Sequence, residues 1–104
     1  MLEDKVQEKI IAYLKRKRVL HFRFQAQSNL NGLPDIICIY KGFFLGLELK
    51  RENGGAPTLL QKKKIKAINE NGGIGVIVRS VEEVDALLTR IDMIKLKEDL
   101  YEEK

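Results

Sequence analysis

The chain has 104 residues, of which 44% are hydrophobic and 33% charged, a composition that suits one domain with a single core. No apolar run approaches the roughly 20 residues of a membrane-spanning helix, and the charged N-terminus lacks the apolar segment of a signal peptide. We therefore expect a cytoplasmic protein that does not enter membranes. Its one cysteine, Cys38, excludes an internal disulfide and a cysteine-rich zinc site, and we expect a buried thiol.

The charge is divided unevenly along the chain. Residues 1–81 contain 15 Lys and Arg against 7 Asp and Glu, a net charge of +8, whereas residues 82–104 contain 4 against 8, a net charge of −4. A basic working surface favours a polyanionic partner.

The first elements are predicted from residue spacing. Residues 3–17 have a helical apolar stripe, and residues 19–27 alternate as a half-buried strand whose buried side carries Leu20 and Phe22. A turn-rich loop follows at 28–34. Two apolar strands, 35–40 and 43–50, then form a hairpin around Lys41-Gly42.

The second half alternates between helix and strand. Thr58 begins a helix, with Gln61 as the partner of a capping box, and Gly72-Gly73 ends it. Residues 74–79 are so apolar that we expect a central strand covered on both faces. Ser80 and Glu83 begin a last helix that extends to about residue 90, before an amphipathic tail. The predicted order is α-β-β-β-α-β-α in one α/β domain.

The hairpin brings charged residues together. With a two-residue turn, Asp35 lies opposite Glu48, and Lys50 points to the same face as Glu48. Two close carboxylates repel each other unless a positive charge lies between them. That charge is either Lys50, in a salt-bridged strand end, or a divalent cation such as Mg²⁺ or Mn²⁺, which prefers oxygen ligands.

The same residues resemble the PD-(D/E)xK motif of the restriction-endonuclease-like nucleases, with Pro34-Asp35 and Glu48-Leu49-Lys50. Over about residues 3–90 the chain resembles the virus-type replication–repair nuclease (VRR-NUC) domain, leaving 91–104 as a tail. The resemblance uses these residues in order: Glu3, Val6-Gln7, Gly32 to Ile37, Glu48 to Lys50, Thr58, Gln61, Gly72-Gly73 and Val78-Arg79-Ser80. It departs at the last motif, where the family has a second arginine in place of Ser80.

The resemblance implies a restriction-endonuclease-like core, a mixed four-stranded sheet flanked by helices, and phosphodiester hydrolysis in DNA. It implies that Asp35, Glu48 and the backbone carbonyl of Leu49 bind Mg²⁺ or Mn²⁺, while Lys50 positions water or neutralises charge on the phosphate. Gln61 would support this site. The alternatives are an exposed lysine at a strand end and a glutamine that only caps its helix.

Glu3 is a further candidate for the site. It lies within the apolar stripe of the first helix, from which it would reach the metal through a water. The alternative is an acid that complements the helix dipole.

Several cations are candidates for DNA binding: Lys15, Arg16, Lys17, Arg18, Arg23, Lys64 and Arg79. For the four consecutive cations, the alternative is a basic helix end favoured by the helix dipole. For Lys64 and Arg23, the alternative is exposure to solvent.

The main hypothesis is a structure-selective DNA endonuclease that cuts four-way (Holliday) junctions or other branched DNA, in a bacterium or a phage-infected cell. Its rivals are a non-catalytic DNA-binding module and a structural replication or repair subunit. Because a four-way junction needs two symmetric cuts, we expect a homodimer. The interface candidates are Phe43, Phe44 and the apolar residues of the tail, Ile94, Leu96, Leu100 and Tyr101.

Overall fold

A computed structural model describes residues 3–24, 32–51 and 53–102, and the side chains of 5–24, 32–51 and 53–101. The elements follow the predicted order: α1 (Glu3–Arg16), β1 (Leu20–Arg23), β2 (Ile36–Tyr40), β3 (Phe43–Leu49), α2 (Leu59–Glu70), β4 (Ile74–Val78) and α3 (Val81–Glu102). The α/β class and the mixed four-stranded sheet flanked by helices are therefore confirmed. The predicted extension of the first strand over 25–27 and most of the loop after it lie outside the described residues.

The sheet has the strand order β1-β2-β3-β4. The first three strands are antiparallel, and β4 runs parallel to β3. In the β2–β3 hairpin Ile36 pairs with Leu47 and Tyr40 with Phe43, which is the predicted register. Lys41 and Gly42 both have positive φ, 47° and 88°, as a tight turn between twisted strands requires.

The main core lies on one face of the sheet, beneath α1 and α3. The predicted stripe of α1 is buried in it, with Ile10 and Leu14 fully inaccessible. Val84, Leu88 and Ile91 of α3 complete the same cluster. Burial of these side chains, at about 1.5–3 kcal/mol each, holds both helices against the sheet.

The opposite face receives α2 at very short range. A Cβ added to Gly46 would lie 2.8 Å from Ile68 Cδ1, and one added to Gly75 would lie 3.0 Å from the Ile65 carbonyl oxygen. Any larger residue at these two positions would push α2 away from β3 and β4. Glycine therefore brings α2 close to the sheet face that carries Glu48, two residues after Gly46.

Three expectations about the elements are wrong. The strand at 74–78 is an edge strand, and β3 is paired on both sides instead; β4 is apolar because α2 and α3 both pack against it. The last helix continues to Glu102 rather than ending near residue 90, since neither Gly nor Pro interrupts it. On β1 it is Leu20 and Phe22 that are exposed, at 56% and 51%, while Val19 is buried.

The exposed side of β1 belongs to a wider apolar surface. Leu20 pairs with Ile39, and Ile39 pairs with Phe44, so the three side chains form one row across three strands. With Phe22, all four are more than 40% exposed. This face is left open because α2 packs against β3 and β4. We call Leu20, Phe22, Ile39 and Phe44 the open sheet face.

Within the described residues, no helix has the length and apolar character needed to cross a membrane.

Candidate active site

The end of β3 and the start of β2 bring the two predicted acids together. Asp35 directly precedes β2, and Glu48 is the penultimate residue of β3, so the observed register continues from the Ile36–Leu47 pair to these acids. The Leu49 amide donates a 2.8 Å hydrogen bond to Asp35 Oδ2. This bond holds the Asp35 carboxylate at the strand end that carries Glu48.

Glu48 is buried, with only 1% of its surface exposed. Its Oε2 accepts a 2.9 Å hydrogen bond from Gln61 Nε2 and lies 3.7 Å from Lys50 Nζ. Among the described residues, its Oε1 has no hydrogen-bond partner. Leaving a buried carboxylate oxygen without a donor is costly for a folded protein. This oxygen is therefore an open acceptor that points to a ligand.

Burial, together with the neighbouring carboxyl of Asp35, raises the pKa of Glu48 to about 8. The positive charge of Lys50 lowers the pKa of Glu48, but by less than burial and Asp35 together raise it. The two acids therefore share surroundings that disfavour a second negative charge, a cost that a bound cation would relieve.

Gln61 makes hydrogen bonds both to the start of α2 and to Glu48. Its backbone amide donates to Thr58 Oγ1 at 3.1 Å, and its side-chain Oε1 accepts from the Thr58 amide at 2.8 Å. These bonds form the capping box at the start of α2. The remaining amide nitrogen donates to Glu48. The two roles that the sequence left as alternatives are therefore compatible, because one amide group has a separate atom for each.

The carboxylate oxygens of this site suit a hard divalent cation. Asp35 and Glu48 are each held by one N–H donor through one carboxylate oxygen, and Glu48 Oε1 is without a donor. Mg²⁺ is commonly bound by one or two carboxylates, with water and phosphate oxygens filling the other positions. The described residues contain no group of three or more His, Cys, Asp or Glu suited to a metal. A site built here therefore depends on these two acids and on backbone or substrate oxygens.

The four consecutive cations proposed for DNA binding lie at the end of α1. Lys15 and Arg16 form the last turn of α1, and Lys17 and Arg18 follow them, all four exposed. Arg16 and Lys17 both lie over the ring of Tyr13, at 5.7 and 5.9 Å from its centre. The four cations form one basic group at the end of α1.

The remaining candidates for DNA binding, the metal site and the dimer interface lie in different parts of the fold. Arg23 and Lys64 are exposed on β1 and α2. Glu3 begins α1, but its side chain lies outside the described ones. Of the interface candidates, Phe43 packs against the core, and Phe44 is 41% exposed on the open sheet face. Ile94, Leu96, Leu100 and Tyr101 are exposed on the continuation of α3.

The structure also shows contacts that the sequence did not reveal. Arg79 donates from its guanidinium to the carbonyls of Arg51, Gly54 and Gly55, in the loop after Lys50. Ser80 Oγ accepts from the Glu83 amide at 3.2 Å, which confirms the predicted cap of the last helix by Ser80. The Glu83 carboxylate accepts from the Arg79 amide. The Ser80 cap was predicted from the sequence, whereas no sequence signal indicated the contacts of Arg79.

Comparison with known proteins identifies the fold. One similar solved structure is a VRR_NUC domain protein, with a TM-score of 0.71 and 21% identity over 86% of each chain. Another is a VRR_NUC domain, with a TM-score of 0.66 and 22% identity, covering 84% of this chain and 94% of the other. No protein-family model and no curated protein matches the sequence. The chain thus has the fold of VRR_NUC domains, as the resemblance implied.

Proposed function

We propose that this chain, on the fold of a VRR_NUC domain, is a metal-dependent endonuclease that hydrolyses phosphodiester bonds in DNA. The observation that carries the proposal is the cluster of half-buried Asp35 with buried Glu48 and Lys50, in which Glu48 Oε1 has no donor among the described residues. A carboxylate pair alone is a poor anchor for DNA, since it repels phosphate. The pair becomes useful when it binds a cation that phosphate can share.

Each residue of the cluster has a distinct task in this proposal. Asp35, Glu48 and the Leu49 carbonyl would bind Mg²⁺ or Mn²⁺. Such a cation, when bound, supplies positive charge to a phosphodiester and makes a water more acidic. Lys50, 3.7 Å from Glu48, would place its ammonium beside the same phosphate and stabilise the charge that develops during hydrolysis.

Gln61 orients the site rather than reacting. Its hydrogen bond fixes Glu48 Oε2, and the capping box fixes Gln61 in turn. Glu48 therefore presents its other oxygen in one direction without needing to rearrange. Preorganised groups of this kind contribute more to catalysis than mobile ones.

The proposed substrate is branched DNA, with the four-way junction as the first candidate. Charge supports DNA as the partner, because the first 81 residues carry a net charge of +8 and the cations from Lys15 to Arg18 are exposed together. We propose that the chain acts as a homodimer, since two symmetric cuts call for two sites. The open sheet face, an uncovered row of Leu20, Ile39 and Phe44 beside Phe22, supports a second copy as its occupant.

The activity is tested by incubating the purified chain with linear, flapped and four-way-junction DNA in Mg²⁺, Mn²⁺ or a chelator. The expected result is metal-dependent cleavage that favours the junction. Binding without cleavage in either metal would favour the non-catalytic DNA-binding module. Absence of both binding and cleavage would leave a structural subunit.

Assembly is tested separately by sedimentation equilibrium at micromolar protein. The dimer predicts twice the 12.0 kDa mass of one chain. Phe22→Ser on the open sheet face should shift the population toward the monomer, with an exposed residue at the start of α3, Glu82→Ser, as control. A wild-type mass of one chain at every concentration would rule out the preformed dimer.

A further inference from the structure

The loop between β3 and α2 is attached to the end of β4 by one side chain. Arg79 Nη1 donates to the Arg51 carbonyl at 2.8 Å and also to the Gly54 carbonyl, and Nη2 donates to the Gly55 carbonyl at 2.8 Å. The Arg79 backbone is itself fixed, since its amide donates to the Glu83 carboxylate at 2.6 Å. Arg79 is therefore an anchored residue that holds three carbonyls of a short loop.

The same loop packs on Lys50. A Cβ placed on Gly55 would be 3.8 Å from Lys50 Cδ and 3.6 Å from Arg51 Cγ. The Gly55 backbone is therefore close to the aliphatic stem of the lysine, which is 9% exposed. Gly54 and Gly55 have φ of +82° and +73°, a conformation that other residues adopt only with strain. The backbone path of this loop requires glycine at both positions, and the hydrogen bonds from Arg79 hold it in place.

The Lys50 side chain lies beside that path. Its stem is long and flexible, and its ammonium is 3.7 Å from Glu48 Oε2. The Lys50 amide is fixed by a 3.0 Å hydrogen bond to the Val78 carbonyl, so the side chain is restrained by its ion pair with Glu48 and by the atoms that lie against its stem. The covering loop is the one that Arg79 holds.

We infer that Arg79 is a positioning residue for Lys50, acting through the loop from Arg51 to Gly55. This inference rests on the proposed function, in which Lys50 contacts the phosphate. A guanidinium suits the task because its planar group of donors serves several carbonyls at once, whereas lysine has a single nitrogen. Arg79 thereby acts on the reaction from within the chain, through a residue that touches the substrate.

The first test compares Arg79→Ala with the exposed control Arg90→Ala on α3, which removes the same group elsewhere. We expect Arg79→Ala to lower kcat by about 10- to 100-fold, with little change in KM, because misplacement of a reacting group acts on turnover. Arg79→Lys should recover little of this loss. Free guanidinium at millimolar concentration should restore part of the activity of Arg79→Ala but not change that of Arg90→Ala.

The second test does not need nuclease activity. Lys50 is acetylated with an amine-reactive reagent in the absence of DNA, and its labelling rate is measured by mass spectrometry. Arg79→Ala should label Lys50 several times faster than wild type, because the loop no longer covers it. The rate at Lys5, on the first helix, serves as an internal reference and should not change.

Gly55→Ala tests the same inference from the loop, if Arg79→Ala does not fold. It keeps Arg79 but strains a residue with positive φ, and it should raise Lys50 labelling and lower kcat in the same way. A rise in KM at constant kcat, with unchanged Lys50 labelling in both variants, would overturn the inference and assign Arg79 to DNA. If wild type cleaves no DNA, the proposed function fails, whereas the labelling still decides whether Arg79 restrains Lys50.

Discussion

Gln61 donates from Nε2 to Glu48 Oε2 at 2.9 Å and thereby joins the first turn of α2 to the end of β3. A helix cap and the strand that carries Glu48 therefore share one amide group. The bond fixes one oxygen of Glu48 and leaves the other without a donor among the described residues. The proposed cation site uses that difference between the two oxygens.

Removing the charge of either acid should abolish cleavage. Glu48→Gln and Asp35→Asn keep the volume of the side chain but remove a cation ligand, so we expect no detectable nicking and loss of Mn²⁺ binding in calorimetry. DNA binding without metal should persist or become tighter, because an acid near phosphate is gone. The control is Glu98→Gln, an exposed acid paired with Lys95 on α3. Wild-type nicking rates in either site variant would exclude the metal-site assignment.

Lys50→Ala should reduce turnover far more than metal affinity. Loss of one preorganised charge at a phosphoryl site raises the barrier by about 3–4 kcal/mol, or roughly 10²–10³-fold in rate. Single-turnover cleavage and Mn²⁺ titration measure the two quantities separately, with Lys95→Ala as the control. Equal rates for Lys50→Ala and wild type would return this lysine to the role of a salt-bridge partner.

The two roles of Gln61 can be separated through its capping partner. Thr58→Ala removes the side-chain acceptor of the cap and should lower the free energy of unfolding by about 1 kcal/mol, while cleavage is largely retained. Gln61→Ala should lower stability to a similar extent and also reduce cleavage, because Glu48 Oε2 loses its donor. Thermal melts and cleavage rates of the two variants are compared. Equal activity in both would restrict Gln61 to helix capping.

The basic group at the end of α1 predicts a particular salt dependence. Replacing Lys15, Arg16, Lys17 and Arg18 together by Ala should weaken binding about equally for all DNA sequences and flatten the slope of log affinity against log salt. A matched control removes three cations of α3, Arg90, Lys95 and Lys97. If the slope does not change in the first variant, this helix end faces away from DNA.

Cys38 should be inert in the folded protein. The thiol is fully buried, and burial raises its pKa to about 12. The folded state therefore holds the proton more tightly than the unfolded state does, so this group's contribution to stability is complete below the ordinary thiol pKa. It is lost progressively as the pH rises toward 12. At pH 8.5 a thiol reagent should react slowly until guanidinium unfolds the chain, and rapid labelling without unfolding would contradict the buried position.

The sequence alone determined the order of elements and the register that brings the acids together. Alternating and helical apolar patterns follow from the periods of strands and helices, and the Lys41-Gly42 turn fixes the pairing of Ile36 with Leu47. Since side chains two residues apart in a strand point the same way, the common face of Glu48 and Lys50 also followed. These features depend on neighbours along the chain or across one turn.

The tertiary structure decided what depends on more distant neighbours. A strand such as β4 can have the same apolar sequence at the edge of a sheet as at its centre. Its side chains point to the two faces of the sheet, and helices can cover both faces at either position. The choice of buried side in β1 was likewise set by α2, which packs against β3 and β4 and leaves Leu20 and Phe22 exposed. The contacts of Arg79 with the loop after Lys50 join residues more than 20 positions apart, and no local pattern encodes them. Such contacts arise only when the packed elements bring a donor and its acceptors within hydrogen-bond distance.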